Sequence, residues 1–97
     1  MKVKILGLED AFQLASALSK YVDVNALDPE TDALAFISDL LEKLTPADYL
    51  KCVMILTEKT EEDVEKEIGL DLLTAFIEGL KENRIISLLS FCKSLGF

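Results

Sequence analysis

Apolar residues recurring every three or four positions, cut into short segments by helix-start signals, constrain this chain more than any other feature. Thr45-Pro46-Ala47-Asp48 offers a capping hydroxyl, a proline at the first helical position and an acid three residues after the cap. Asp28-Pro29-Glu30 repeats the cap-then-proline device, and Thr60 with Asp63 repeats the Thr-x-x-acid spacing. The recurrence is capping chemistry and not an internal repeat. Short connections between segments of about ten to fifteen residues are those of helical packing. The expected fold is therefore all-α: one domain over residues 1–97, a compact orthogonal bundle of five to six short helices, with room for a short N-terminal strand.

The apolar stripes predict how the helices lie. Leu8, Ala11, Phe12, Ala15, Leu18 and Val22 mark a first helix, with Glu9 and Asp10 in its opening turn, where acids complement the dipole. A second, started by Asp28 and Pro29, runs to about Lys43 on Ala33, Ile37, Leu40, Leu41 and Leu44, with Phe36 widening the face. In the third, Tyr49, Leu50, Val53, Met54 and Leu56 cover most of the circumference, which predicts a central helix. A polar fourth carries only Val64 and Ile68 as apolar contacts and closes at Gly69, which predicts a surface position. The fifth, from about Leu70 to Glu82, rests on Leu73, Phe76, Ile77 and Leu80, and Asn83 suits the left-handed turn that ends a helix. The sixth presents Ile85, Leu88, Leu89, Cys92 and Leu95 on one side and ends at Gly96.

Residues 2 to 6 follow a different period. Lys2 and Lys4 alternate with Val3 and Ile5, the two-residue pattern of a strand. A lone strand is not stable, so either Tyr21-Val22-Asp23-Val24 supplies a partner edge or another subunit does. The second arrangement makes Val3 and Ile5 self-association residues and the protein a homo-oligomer.

Composition narrows the class of partner. Of 97 residues, 51% are hydrophobic, more than a thin core can hide, and leftover apolar patches mark interaction surfaces. Eighteen acids against ten bases leave a net charge of −8, which repels nucleic-acid phosphates and anionic lipid head groups. No window holds the ~20 apolar residues of a membrane span, and residues 1 to 7 are too short for a signal peptide's apolar core. The expected compartment is the cytoplasm. Cys52 and Cys92 lie inside apolar helical patterns, where a buried reduced thiol is the expected state.

Chemistry is hard to place on this chain. It has no histidine, so Ser-His and Cys-His nucleophile arrangements are unavailable. Ser16 and Lys20 stand four apart on one helix, but nothing near them in sequence would depress the lysine pKa. Asp28, Glu30 and Asp32 open like a calcium loop and then depart from one, with Ala33 at the glycine position and Asp39 at that of the bidentate glutamate. Residues 58 to 67 hold six acids against Lys59 and Lys66, a local charge of −4, suited to a solvated helix or to docking a basic segment. The expectation is a non-enzyme without cofactor or metal.

Four segments carry a resemblance: Leu8-Glu9-Asp10-Ala11-Phe12, Asp39-Leu40-Leu41-Glu42-Lys43-Leu44-Thr45-Pro46, Phe76-Ile77-Glu78-Gly79-Leu80-Lys81-Glu82-Asn83 and Phe91-Cys92-Lys93-Ser94-Leu95-Gly96-Phe97. In this order the chain resembles the tail assembly chaperones of long-tailed bacteriophages and of prophages of Gram-positive bacteria. The resemblance implies a small acidic helical protein in the bacterial host cytoplasm. Such a protein binds the tape-measure protein, keeps its hydrophobic helices soluble and helps recruit tail-tube protein, with no active site. It also implies that a chain ending at Phe97 corresponds to the shorter of two products made by ribosomal frameshifting.

A client surface is expected on helix six and the chain end, at Ile86, Phe91 and Phe97. At ~100° per residue the stripe from Ile85 to Leu95 already fills one face, so Ile86 and Phe91 fall on its flanks. Unless a neighbouring helix walls them in, they face outward. A different class of function fits the charge: a small acidic regulator that occludes a basic site on a partner protein. Salt separates the two, because charge mimicry weakens as the Debye length shrinks and apolar docking does not.

Overall fold

The computed structural model describes residues 2–23, 27 and 30–94; among them there are six helices and no strand. They are α1 (Leu8–Ser19), α2 (Ala33–Lys43), α3 (Pro46–Thr57), α4 (Glu61–Glu65), α5 (Gly69–Glu82) and α6 (Ile85–Ser94). α3 is the hub, packing against α1, α4 and α5. α6 lies on α1 and α5, and α2 lies on α5. The radius of gyration, 12.7 Å, is that of a folded chain of this length, for which about 13 Å is expected.

α3 earns its place through its starting signal and its composition. The Thr45 hydroxyl accepts from the Asp48 N–H at 3.3 Å, Pro46 opens the first turn, and Cys52, Val53 and Leu56 are fully buried. Against it lies α5, whose Phe76 is fully buried and stacks at a tilt on Tyr49, ring centroids 5.1 Å apart. One helical turn beyond Phe76, Gly79 lets the two helices approach closely. A Cβ there would sit 2.9 Å from both methyl carbons of Leu56, itself without exposure. Leu14, Leu18, Ile37, Leu40, Leu80, Ile85 and Leu89 complete the interior, and no polar or charged side chain is buried among the described residues.

α4 is short and polar, as its sequence predicts. Thr60 caps it by accepting from the Asp63 N–H at 3.2 Å, and Val64 alone reaches the core.

Several expectations require correction. α2 starts at Ala33, capped by Asp32, whose carboxylate accepts from the Leu34 N–H; Asp28 and Pro29 lie outside the described residues. Leu8 opens α1 but is 73% exposed, and the buried face is Leu14, Ala15, Ala17 and Leu18. Val22 lies beyond the helix end. Gly69 begins α5 instead of ending α4. The left-handed position after α5 is Arg84, at φ 51°, and not Asn83, at φ −88°.

The N-terminal strand is the largest correction. Residues 2 to 6 pair with no strand among the described residues, and Val24 of the expected partner lies outside them. The segment instead docks as a strap. The Lys4 N–H donates to the Leu56 carbonyl at the end of α3 (3.0 Å). The Leu6 N–H donates to Asn83 Oδ1 (2.7 Å), and Asn83 Nδ2 returns a bond to the Lys4 carbonyl (2.9 Å). The period of two predicts a strand, and the structure has instead an irregular segment tied down through Lys4 and Leu6. What it could not signal was that an amide side chain and a helix end supply the partners.

Candidate protein-binding surfaces

Seven large apolar side chains are exposed among the described residues: Ile5, Leu8, Leu34, Ile68, Leu70, Leu73 and Phe91. Three of them fall within six residues at the corner between α4 and α5. Ile68 and Leu70 are each 70% exposed, and Leu73 follows Leu70 by one helical turn on the same face. Leu73 was expected in the core, and Ile68 as an inward contact of the fourth helix. Ile68, in an extended conformation, links the turn at Lys66 and Glu67 to α5 and offers that helix no side-chain cap.

The surroundings of this corner are acidic. Around it, Lys59 pairs with Glu67 at 3.0 Å and Lys66 with Glu62 at 3.7 Å. Glu61, Asp63 and Glu65 have no basic partner among the described residues, so α4 carries uncompensated negative charge beside the apolar corner.

Of the residues expected to meet a client, Ile86 is not outward. It is only 9% exposed, because the start of α2 and the end of α5 wall it in: Thr31, Ala33, Leu80 and Lys81 border the same small cleft. Phe91 is 54% exposed, one turn beyond Leu88 on α6. Phe97 lies outside the described residues. The two self-association candidates sit on the strap, Val3 half-buried and Ile5 69% exposed. Ile5 and Leu6 line a cleft with Ala11, Asn83, Arg84 and Leu88, of about 440 Å³.

A polar cluster joins α1 to α3. The Asp48 carboxylate accepts from the Tyr21 hydroxyl, from Lys20 Nζ at 2.9 Å and from the Thr45 hydroxyl at 3.1 Å. The hydrogen bond from Tyr21, then that from Lys20, hold its pKa down at about 2. All three contacts converge on one oxygen, Asp48 Oδ2, tying the end of α1 to the start of α3, and the ammonium of Lys20 is drawn above its usual range mainly by the same carboxylate.

The buried thiols are inert by environment. Burial pushes Cys52 up to about 12 and raises Cys92 as well, so neither is a thiolate near neutrality. Among the described residues no group of three cysteine or acidic side chains converges in a way that could hold a metal ion, and no helix is long and apolar enough to cross a membrane.

The geometry defines a small helical protein whose most prominent surface feature is an apolar corner on an acidic body. No family model, curated protein or solved structure matches the chain.

Proposed function

We propose that the chain is a non-catalytic binding protein of the tail-assembly-chaperone kind. It acts in the host cytoplasm, shielding hydrophobic helices of a tape-measure protein and helping to bring tail-tube protein to them. The observation that carries this reading is the corner of Ile68, Leu70 and Leu73 beside the unpaired acids of α4. A client helix with an apolar stripe and basic flanks matches both parts: the stripe covers the corner, and Lys or Arg side chains meet Glu61, Asp63 and Glu65. The ordered sequence resemblance supports the same reading and supplies the identity of the client.

The magnitude suits a temporary partner. Burying Ile68 and Leu70 from 70% exposure gains about 2–4 kcal/mol before ordering costs, enough to favour capture without preventing release. Phe91 extends the apolar area available on α6.

The test is a pull-down of the tape-measure protein by wild type and by Ile68→Ser/Leu70→Ser. The expected result is at least about a tenfold loss of binding with an unchanged circular dichroism spectrum, and wild-type binding that persists in high salt. Undiminished binding by the variant would remove the corner from the client surface. Binding that disappears with salt and ignores the variant would favour charge-based occlusion of a basic site.

A further inference from the structure

The strap is hydrogen-bonded on one side only. Lys4 uses both its N–H and its C=O toward the body of the protein, and Leu6 uses its N–H there too. In extended chain, alternate residues direct their main-chain groups to opposite sides. Val3 and Ile5 therefore turn theirs away from Leu56 and Asn83, and no hydrogen bond among the described residues reaches either. Two N–H and two C=O groups stand in a row along an open edge.

We infer that a second copy of this chain occupies this edge, its residues 2 to 6 running antiparallel to the first about a twofold axis. With Lys4 at the axis, Val3 of each copy lies opposite Ile5 of the other. The Val3 N–H donates to the Ile5 carbonyl across the axis and the Ile5 N–H to the Val3 carbonyl, twice over by symmetry. All four open groups of each copy are then used. This register also places each exposed Ile5 against a Val3, an apolar cross-strand pair.

Symmetry favours a copy of this chain as the occupant, because the open groups of Val3 and Ile5 are self-complementary about Lys4, and charge permits a copy here where it opposes one elsewhere. The protein carries −8 overall, so most approaches between copies are repulsive. At the strap, Lys4 bridges Asp10 and Glu58, and Lys2 adds a second positive charge that opposes this repulsion. Lys4 reaches Asp10 Oδ2 at 2.9 Å and also pairs with Glu58, so its ammonium is turned aside from its counterpart at the axis. The contact is small against the ~1,000 Å² of a stable interface, so the dimer is weak and forms with rising concentration.

Amide hydrogen exchange of the full chain, followed by NMR from low to high micromolar concentration, tests the register. The Lys4 and Leu6 amides should be slow throughout, whereas those of Val3 and Ile5 should be fast when dilute and slow by at least about tenfold when concentrated. Sedimentation over the same range should show a monomer–dimer equilibrium. Ile5→Pro removes one outward N–H per copy and suits an extended edge, so it should abolish the dimer with melting temperature and helix content unchanged. A monomer at high concentration overturns the inference. So does a dimer indifferent to Ile5→Pro, or protection of Val3 and Ile5 that appears only when tape-measure protein is added.

Discussion

α3 and α4 begin with the same device and come to different ends. Thr45 accepts from the Asp48 N–H and Thr60 from the Asp63 N–H, at 3.3 and 3.2 Å, in two turns of matching spacing. One opens a twelve-residue helix at the centre of the fold, the other a five-residue helix on its surface. A cap satisfies orphan N–H groups and so decides where a helix starts; it says nothing about how far the helix runs. Length follows burial. α3 continues because Cys52, Val53 and Leu56 keep finding core, whereas α4 has only Val64 to bury before Ile68 turns outward. The acids differ as well: Asp48 is held by Tyr21, Lys20 and Thr45, and Asp63 has no basic partner among the described residues.

The largest effect expected from this contrast lies in the α3–α5 seam. Phe76→Ala should cost about 3–5 kcal/mol by opening a cavity against Tyr49, whereas Val64→Ala on α4 should cost about 2. Urea denaturation of both variants measures this, and equal losses would mean that α4 is as deeply built into the core as α5. Next come the caps. Thr45→Ala should cost about 1 kcal/mol and Thr60→Ala about half that, because α4 can fray alone without disturbing the hub. The smallest effect is in acid. The depressed pKa of Asp48 means that its contribution to stability is present above the ordinary carboxylate range and lost as pH falls through about 2. Wild type should therefore exceed Asp48→Asn in melting temperature at neutral pH, with the gap closing between about pH 4 and 2. A gap that does not depend on pH would assign the effect to Asn geometry instead of charge.

Much of the fold was legible because caps and apolar periods are local signals. Thr45, Thr60 and the stripe of α3 could be read directly, as could the polar nature of α4. The start of α2 was misplaced because Asp28 and Asp32 are both competent caps, and the proline after Asp28 argued for the earlier one. Periodicity reports that a face is apolar but not what covers it. Ile86 therefore looked outward until the start of α2 was found against it, and Leu8 looked inward although it opens α1 with 73% of its surface exposed. The apolar corner was missed for the same reason: Ile68 and Leu73 each fit a helical stripe, and only the turn between α4 and α5 exposes them. Asn83 gave a correct signal of a helix end and none of its contact with Lys4 and Leu6, since no local pattern encodes a partner so distant in sequence.

That distance has a consequence for the order of events during synthesis. Leu6 and Asn83 are 77 residues apart, so the strap leaves the ribosome long before its receptor exists. At ~5–20 residues per second the interval is roughly 4 to 15 s, while main-chain pairing of short segments takes microseconds. Until Leu56 has been made both sides of residues 2 to 6 are open, and until Asn83 follows the Leu6 N–H still lacks its acceptor, while neighbouring nascent chains on one message carry the same segment. The last hydrogen bonds to form within the monomer thus involve some of the first residues made, and Asn83 decides when one side of the strap is fully withdrawn from its neighbours.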